Sequence, residues 1–444
     1  MIKKCDVLVV GAATTGIYFG WIMAKKGHSV LIIDKEAPEQ VGQRLEVIHF
    51  VQKTFAELNM PPPTEAPELI KSWKGIYVSR LPLWLQRMYK ILESDGVKFE
   101  FLCKFKNLLL ENGRIRGCKV EKQNEEYDVE ARLVVDASGV ACAVRSSLPE
   151  NYGVETWKYD SSNRFFVILN YFKWLKPDEP HPDWGEVWPY YFVFIDPGYS
   201  HEEPIVGIIG PESFKTVEAI WNEFVEEKDL PPFEITKKEL NSFPLTISPY
   251  SLVGDGFFCA GDAAAMMNPI AARGIPETWQ VCTNAGEVVS AALKKEDYLT
   301  RERLWEINFR YFRNEGAELA YQYMISSAIF NLNEKDINFL LKKLRSIFDP
   351  PEGEDEETDL KLSAGKMAKA AVKVLGAIFT GKVSIRTLFR ILKKNRHGKK
   401  IKKHYQKYPE NPENFDEWVQ KAEKIWELRE VLPRKYKTIT VTYP

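Results

Sequence analysis

The sequence predicts an α/β fold, and three observations carry that expectation. Cys5–Val10 is a run that is apolar but for Asp6 and stops at Gly11, and Ser29–Ile33 is a second, apolar after Ser29, that ends at Asp34. Between them, Thr14–Lys26 reads as a helix closed by Gly27. Strands covered on both faces appear as continuous apolar runs, and two of them flanking a helix form a parallel βαβ unit. The complete expectation is a Rossmann-like nucleotide-binding domain with an inserted β-meander, a mixed β-sheet substrate domain and a C-terminal helical region.

The N-terminus has the look of a secretory leader, with Met1-Ile-Lys-Lys before apolar residues. Charge returns at Lys25-Lys26, however, no small-residue cleavage site follows, and Gly11 and Gly16 punctuate the run, so a strand, turn and helix fit better. No apolar stretch reaches the ~20 residues of a membrane span. The expected location is the cytoplasm, either free or peripheral on the inner face of the membrane.

Residues 35–79 read as irregular, with a proline-rich turn at Pro61-Pro62-Pro63. A helix over Pro82–Ser94 stops at Asp95-Gly96. Strand patterns at 97–102, 105–110, 114–121 and 127–135, with Asn112-Gly113 as a hairpin turn, make the meander. Further strands are expected at 164–174, 187–195 and 204–209, with a helix at 214–227. Phe257–Ala260 returns to a buried strand, and a long helix follows to Leu293. From Thr300 onward the pattern is helical, divided by an acidic loop at 349–357. The expected division is therefore 1–50, 80–160 and 251–300 for the nucleotide-binding domain, 51–79 and 161–250 for the substrate domain, and 301–444 for the helical region.

Composition narrows the function classes. A chain of 444 residues exceeds one simple core. A formal net charge of −1 lacks the footprint of a dedicated nucleic-acid binder. The six cysteines are scattered without a CxxC pair, which argues against a zinc site or disulfide framework and for a reducing compartment. The aromatic supply of 12 Trp, 25 Phe and 19 Tyr is read first as core, and second as the lining of a cavity for a flat or greasy ligand.

Three corners carry the chemistry. Gly11-Ala-Ala-Thr-Thr-Gly16 is a dinucleotide fingerprint in which Gly11 and Gly16 hold the outer positions, Ala13 replaces the middle glycine, and Thr15 is a further candidate for cofactor contact. Pyrophosphate would sit at the positive end of that helix. Asp34 lies 18 residues beyond Gly16, beside Lys35, where an acid accepts hydrogen bonds from adenosine ribose. The second corner is Asp136-Ala-Ser-Gly139-Val-Ala-Cys-Ala-Val-Arg145. The third is Phe257-Phe-Cys-Ala-Gly261-Asp262 followed by Asn268-Pro269-Ile-Ala-Ala-Arg273-Gly274-Ile275. There Asp262 would hold ribityl hydroxyls, and helix amides at Gly274 and Ile275 would face a flavin pyrimidine and favour its anionic reduced form.

Taken in order, the Gly11–Gly16 fingerprint, Arg80-Leu-Pro-Leu before a helix, Asp136-Ala-Ser-Gly139 with Arg145 and Leu148-Pro149, and Gly261-Asp262 through Gly274-Ile275 resemble the geranylgeranyl reductase family, within the flavoprotein superfamily that includes aromatic hydroxylases. The likeness covers roughly residues 1–300. It implies FAD contacts from Asp34, Arg44, Arg80, Asp262, Gly274 and Ile275, with the backbone near Lys104 touching adenine. It also implies reduction of isolated C=C bonds in isoprenoid chains, commonly on lipids. Departures are Val41-Gly-Gln-Arg44 without the family's cysteine, Tyr190-Tyr-Phe-Val-Phe-Ile195 without Trp and Pro, and Ala272 where glycine is usual.

Other residues have two readings. Arg44 is a phosphate or ribose clamp, or a solvated loop charge. His49 is a hydrogen-bonded core histidine or a proton shuttle. Tyr190 and Tyr191 line the substrate cavity or are plain strand residues, and His49 and Tyr191 are the only catalytic candidates. Residues 361–403 join apolar positions to a basic end, Lys393–Lys403; they form a helical pair packed on the flavin domain with a solvated tip, or a peripheral membrane contact. The competing functions are an aromatic monooxygenase, disfavoured by Cys142 where hydroxylases place serine, and a non-catalytic flavoprotein or membrane scaffold. A halogenase is disfavoured because no Trp-x-Trp-x-Ile-Pro segment occurs. No second dinucleotide fingerprint appears, so NAD(P)H, ferredoxin and reduced quinone are all open as electron donors. No metal and no nucleic acid are expected.

Overall fold

The computed structural model describes residues 2–73, 75–176, 193–200, 203–210, 212–228, 231–270, 273–329, 332, 336, 381 and 383–429. The N-terminal part contributes β1 (Ile2–Val10), β2 (Val30–Ile33), β3 (Val47–Val51), β4 (Leu69–Trp73), β5 (Ile76–Arg80) and β6 (Lys98–Glu100). The meander is β7 (Cys103–Glu111), β8 (Arg114–Lys122) and β9 (Glu125–Asp136). Later strands are β10 (Arg164–Trp174), β11 (Val193–Ser200), β12 (Glu203–Gly210), β13 (Phe233–Pro244), β14 (Val253–Gly254) and β15 (Phe257–Cys259).

Five parallel strands stand in the order β6-β2-β1-β9-β15, with β14 antiparallel at the edge. By rank along the chain that order is third, second, first, fourth, fifth, a doubly wound sheet whose strand order reverses beside β1. Ligands of such sheets lie outside the carboxyl ends of the strands at that reversal. The apolar runs of the sequence are the centre of this sheet: Val7, Leu8, Val9, Ile32, Ile33, Leu133, Val134 and Phe258 are all buried. Helix α1 (Thr14–Lys25) crosses from β1 to β2. The 12-residue β9 serves three partners: Asp128–Asp136 pairs with β1 on one edge, and on the other Glu125–Glu130 pairs with β8 and Val134–Asp136 with β15. The meander therefore branches from the parallel sheet, and its β7–β8 turn at Asn112-Gly113 has positive φ at both residues, as a tight hairpin requires.

A second, antiparallel sheet has the order β11-β12-β10-β13. Alternation along β10 divides its side chains. Phe166, Ile168, Phe172 and Trp174 pack with α4 (Phe214–Lys228), whereas Phe165, Val167, Leu169 and Tyr171 pack with Val47 and Val78 of a third sheet, β3-β5-β4. That third sheet corrects the reading of 35–79 as irregular. With α2 (Gln52–Leu58) it is an ordered layer, and Phe50, Phe55 and Trp84 of α3 (Leu81–Ser94) join it to Trp279 through ring contacts of 5.0–6.3 Å. Strand β13 was also absent from the sequence expectation. It pairs along β10, but most of its side chains are at least partly exposed, so its charged residues hide the apolar alternation.

Helix α5 (Ile275–Leu293) leads to α6 (Arg301–Arg313), α7 (Glu315–Ile329), α8 (Ile385–Tyr405) and α9 (Phe415–Trp426). Leu304, Trp305, Phe312, Ile401, Tyr405, Tyr408 and Trp418 belong to the same core cluster as the parallel sheet, so these helices pack on the parallel-sheet unit. Residues 349–357 and the 361–380 part of the basic-apolar segment lie outside the described residues. Among the described residues, no helix is long and apolar enough to cross a membrane.

Candidate functional site

The three corners of the sequence meet at the carboxyl ends of three adjacent strands. Gly11 follows β1 with φ +113° and donates its N–H to Ile33 O at 2.8 Å. A Cβ at Gly11 would lie 2.3 Å from Ala137 O of the second corner, and one at Gly16 would lie 1.8 Å from Gly11 O. Only glycine permits both approaches. Ala13 is tolerated because it is the N-cap of α1 in extended backbone (φ −83°, ψ −168°), a conformation any residue adopts.

Asp136 ends β9 and is fully buried. Its Oδ1 accepts from Ser138 N at 3.0 Å and Ser138 Oγ at 2.6 Å, and its Oδ2 accepts from Val144 N at 3.0 Å and Arg145 N at 2.7 Å. The turn carrying Gly139 is thus folded around one carboxylate. Ala260 N reaches Asp136 O at 3.1 Å, which brings in the third corner. Gly261 has φ +68°, and a Cβ there would meet Thr15 Oγ1 at 2.5 Å. First and third corners therefore touch directly.

Arg145 staples the second corner to the third. Its buried guanidinium donates to Ala263 O and Glu155 O, each at 2.7 Å, and lies 4.1 Å over the Trp157 ring. Tyr159 adds a hydrogen bond to Asp262 O at 2.5 Å. Sequence reasoning named Arg145 as part of a motif without this role, and it missed Tyr159.

Two helix N-termini open on this crevice. Trp279, in the second turn of α5, donates to Thr14 O at 3.0 Å, and its ring stacks on Tyr18 at 4.9 Å. Unpaired N–H groups at both helix starts give the region a positive potential suited to an anion. Gly274 caps α5, and a Cβ there would lie 2.4 Å from Met266 O. Asn268 shapes the preceding turn by donating to Arg273 O at 2.7 Å and accepting from Ile270 N at 2.9 Å. Ala272 lies outside the described residues.

At the other end, Asp34 accepts from Ala12 N at 2.8 Å and from Glu36 N at 2.9 Å. Burial raises its carboxyl above the ordinary range, and the two N–H donors oppose that. Tyr89, a residue the sequence did not single out, donates to Ala12 O at 3.0 Å. Cys103 N bonds Asp34 O at 2.8 Å and Leu102 N bonds Glu36 O at 3.1 Å, so the backbone leading into exposed Lys104 lies beside the Asp34 turn. Lys35 and Arg44 are exposed and approach the Glu36 carboxylate at 3.4 and 3.7 Å. Half-buried Arg80 stands farther along, pairing with Val47 and capping α3.

Asp262 keeps part of its surface open, yet desolvation alone raises its carboxyl to about 6. No described cation stands against it. His49 is exposed on β3, which corrects its reading as a core histidine. Its same-face neighbour Val47 is covered by β10, but that cover stops short of His49. Tyr190 and Tyr191 lie outside the described residues.

No protein-family model matches the chain. It is 22% identical over 454 residues to the digeranylgeranylglycerophospholipid reductase of Sulfolobus acidocaldarius, covering 95% of this chain and 97% of that protein. Digeranylgeranylglycerophospholipid reductase 2 of Methanopyrus kandleri is 25% identical over 424 residues, covering 83% and 96%. Among solved structures, a geranylgeranyl bacteriochlorophyll reductase-like protein of Thermoplasma acidophilum superposes with TM-score 0.69 at 16% identity, covering 86% of this chain and 99% of that one. The chain is a divergent relative of the geranylgeranyl reductases, built on the Rossmann-like fold of the FAD-dependent oxidoreductases.

Proposed function

We propose that the chain is a flavin-dependent reductase that binds FAD across the three corners and saturates C=C bonds of a hydrophobic isoprenoid substrate carried on a lipid. The carrying observation is likeness along nearly the whole length to reductases named for digeranylgeranylglycerophospholipid, together with corners at Gly11, Gly261 and Gly274 where a Cβ would strike neighbouring atoms. These close approaches hold the three corners together around the start of α1, whose first-turn N–H groups lack intrahelical partners, so the residues present fit a dinucleotide pyrophosphate. In this reading the Gly11–Gly16 turn, with Ala13 and Thr15, and the start of α1 hold pyrophosphate. Asp34, with Lys35 and Arg44 beside it, takes the adenosine end, and backbone near Lys104 takes adenine. Asp262 accepts ribityl hydroxyls, Gly139 shapes the middle corner, Arg80 borders the ring end, and Gly274 and Ile275 amides face the pyrimidine edge.

When bound and reduced, the flavin supplies a hydride to one alkene carbon, and a proton must reach the other. His49 and Tyr191 are the side chains retained as candidates for that proton. The sheet of β10–β13 and the β3-β5-β4 layer wall off the substrate, and a lipid substrate places the chain at the cytoplasmic face of a membrane. NAD(P)H, ferredoxin and a quinol remain the candidate electron donors.

The test is anaerobic photoreduction of the purified flavoprotein, followed by addition of a geranylgeranyl lipid, an aromatic acid or oxygen. Rapid reoxidation by the lipid, with two hydrogens gained per bond reduced, is expected. Reoxidation only by oxygen, stimulated by the aromatic acid, would replace this reading with a monooxygenase.

A pH dependence follows from Asp262. With its folded carboxyl at about 6 against an ordinary 3.8, its stability contribution in the apo chain is fully present below 3.8 and lost as pH rises through about 6. Hydroxyl donors favour the ionised form, so FAD affinity should weaken as pH falls below about 6. Fluorescence of released flavin reads this directly. Asp262→Asn should bind FAD more weakly and flatten the profile; an unaltered profile would remove Asp262 from the site.

A further inference from the structure

We infer that the outward face of α8 is a docking surface for an anionic lipid bilayer. The inference deepens the lipid-substrate reading above, but its argument stands on the helix itself. Nine large apolar side chains are exposed among the described residues, and three of them, Ile385 (57%), Phe389 (65%) and Leu392 (51%), fall within eight residues of α8. Their spacing of four and then three residues sets them in one stripe. Scattered single exposed apolars are ordinary; three aligned on one helix mark an interaction surface.

The same stripe continues into cations. Continuing the four-and-three spacing past Leu392 gives Arg396, Lys399 and Lys403, all exposed, with Lys393 and Lys400 on its flank. The 21-residue helix contains no Asp or Glu. Arg386, Lys393, Arg396, Lys399, Lys400 and Lys403 have no ion-pair partner among the described residues, although Lys402, to one side, pairs with Glu318. At ~1.5 Å per residue the helix is about 31 Å long, and its outward stripe is apolar over the first half, flanked by Arg386 and Arg390, and cationic over the second.

The opposite face is anchored. Thr387, Lys394, Gly398, Ile401 and Tyr405 are buried. Gly398 allows close packing on α7, since a Cβ there would lie 2.8 Å from the Tyr321 ring, and Tyr321 donates to Asn395 at 2.9 Å. The stripe is thus held outward by a fixed helix.

Charge complementarity selects the occupant. A two-fold pairing of this face with the same face of a second copy would bring like charges together, and a polyanion such as nucleic acid has no use for the apolar half. An anionic bilayer satisfies both halves, with headgroups on the cations and acyl chains under Phe389.

The experiment is flotation of the full-length FAD-loaded chain with phosphatidylcholine vesicles, alone or with about a third phosphatidylglycerol. It needs no reductase assay, so its failure and failure of the proposed activity are separately visible. Binding to the anionic vesicles is expected, at least tenfold above neutral ones and reduced by salt. A cation near an anionic surface is worth about fivefold in partitioning. The combined variant Arg396→Gln, Lys399→Gln, Lys400→Gln, Lys403→Gln should therefore lose about two orders of magnitude or more, and Phe389→Ser with Leu392→Ser about tenfold. All six positions are exposed, so folding should be unaffected. Equal binding to both vesicle types, no binding to either, variants that bind like the parent, or a dimer abolished by Phe389→Ser would each overturn the proposal.

Discussion

Replacing Gly11 with alanine should yield a colourless protein. The added Cβ would stand 2.3 Å from Ala137 O, a backbone atom fixed by the pairing of β9 with β1, so no side-chain rotation relieves it. The backbone at φ +113° adds strain of about 1–3 kcal/mol, and overpacking a fixed interior adds about 1–3 kcal/mol more. Relief requires the first two corners to part, and both line the proposed pyrophosphate site. An affinity loss of about two orders of magnitude, equivalent to about 2.8 kcal/mol, is expected in FAD titration of the stripped chain. Gly27→Ala is the control: φ there is +86°, but nothing lies within 4 Å, so it should bind FAD normally at a stability loss of about 1 kcal/mol. Equal FAD affinity in both variants would separate the Gly11 turn from cofactor binding.

Asp136→Ala should be the most destabilising single change in the site. The carboxylate gathers three backbone N–H groups and one hydroxyl, and the position is fully buried. Alanine leaves those N–H groups without an acceptor or water, at about 1–3 kcal/mol each before relaxation. A net loss of about 4 kcal/mol is expected in urea denaturation of the apo chain. Arg145 would lose its backbone anchor, so the staple to Ala263 should loosen and FAD affinity fall as well. Ser138→Ala removes only the hydroxyl partner and should lose about 1 kcal/mol. Near-parental stability of Asp136→Ala would mean that the corner is held by strand pairing alone.

Much of the parallel sheet and its corners was legible because its physics is local. Buried parallel strands wrote themselves as apolar runs at Cys5–Val10 and Phe257–Ala260, and glycines stood wherever backbone had to touch backbone. The order of the corners along the chain predicted their meeting in space. The β3-β5-β4 sheet was not legible. Its strands are five residues each, Lys71 and Ser72 interrupt the apolar pattern, and pairing depends on partners distant in sequence. Strand β13 was hidden for a related reason: Glu234, Lys237 and Lys238 occupy a largely open strand that only pairing with β10 defines.

Within the site, acids and glycines were readable, while their supports were not. Tyr89, Tyr159 and Trp279 act by donating to main-chain oxygens of Ala12, Asp262 and Thr14, contacts that leave no local pattern. Arg145 was visible only as a motif member, since a buried guanidinium stacked on Trp157 requires the folded corner to exist first. His49 failed in the opposite direction. Its apolar neighbours Ile48 and Phe50 belong to the other face of β3, and on its own face the cover that buries Val47 ends before His49, which local sequence cannot reveal.

The most direct test of the whole account is a crystal structure of the chain soaked with FAD. Adenine should lie beside the Asp34 turn and the backbone near Lys104, pyrophosphate at Gly11–Gly16, and the ring system against Gly274 and Ile275. A flavin bound elsewhere, or a crevice that admits none while the chain still reduces a geranylgeranyl lipid, would contradict it.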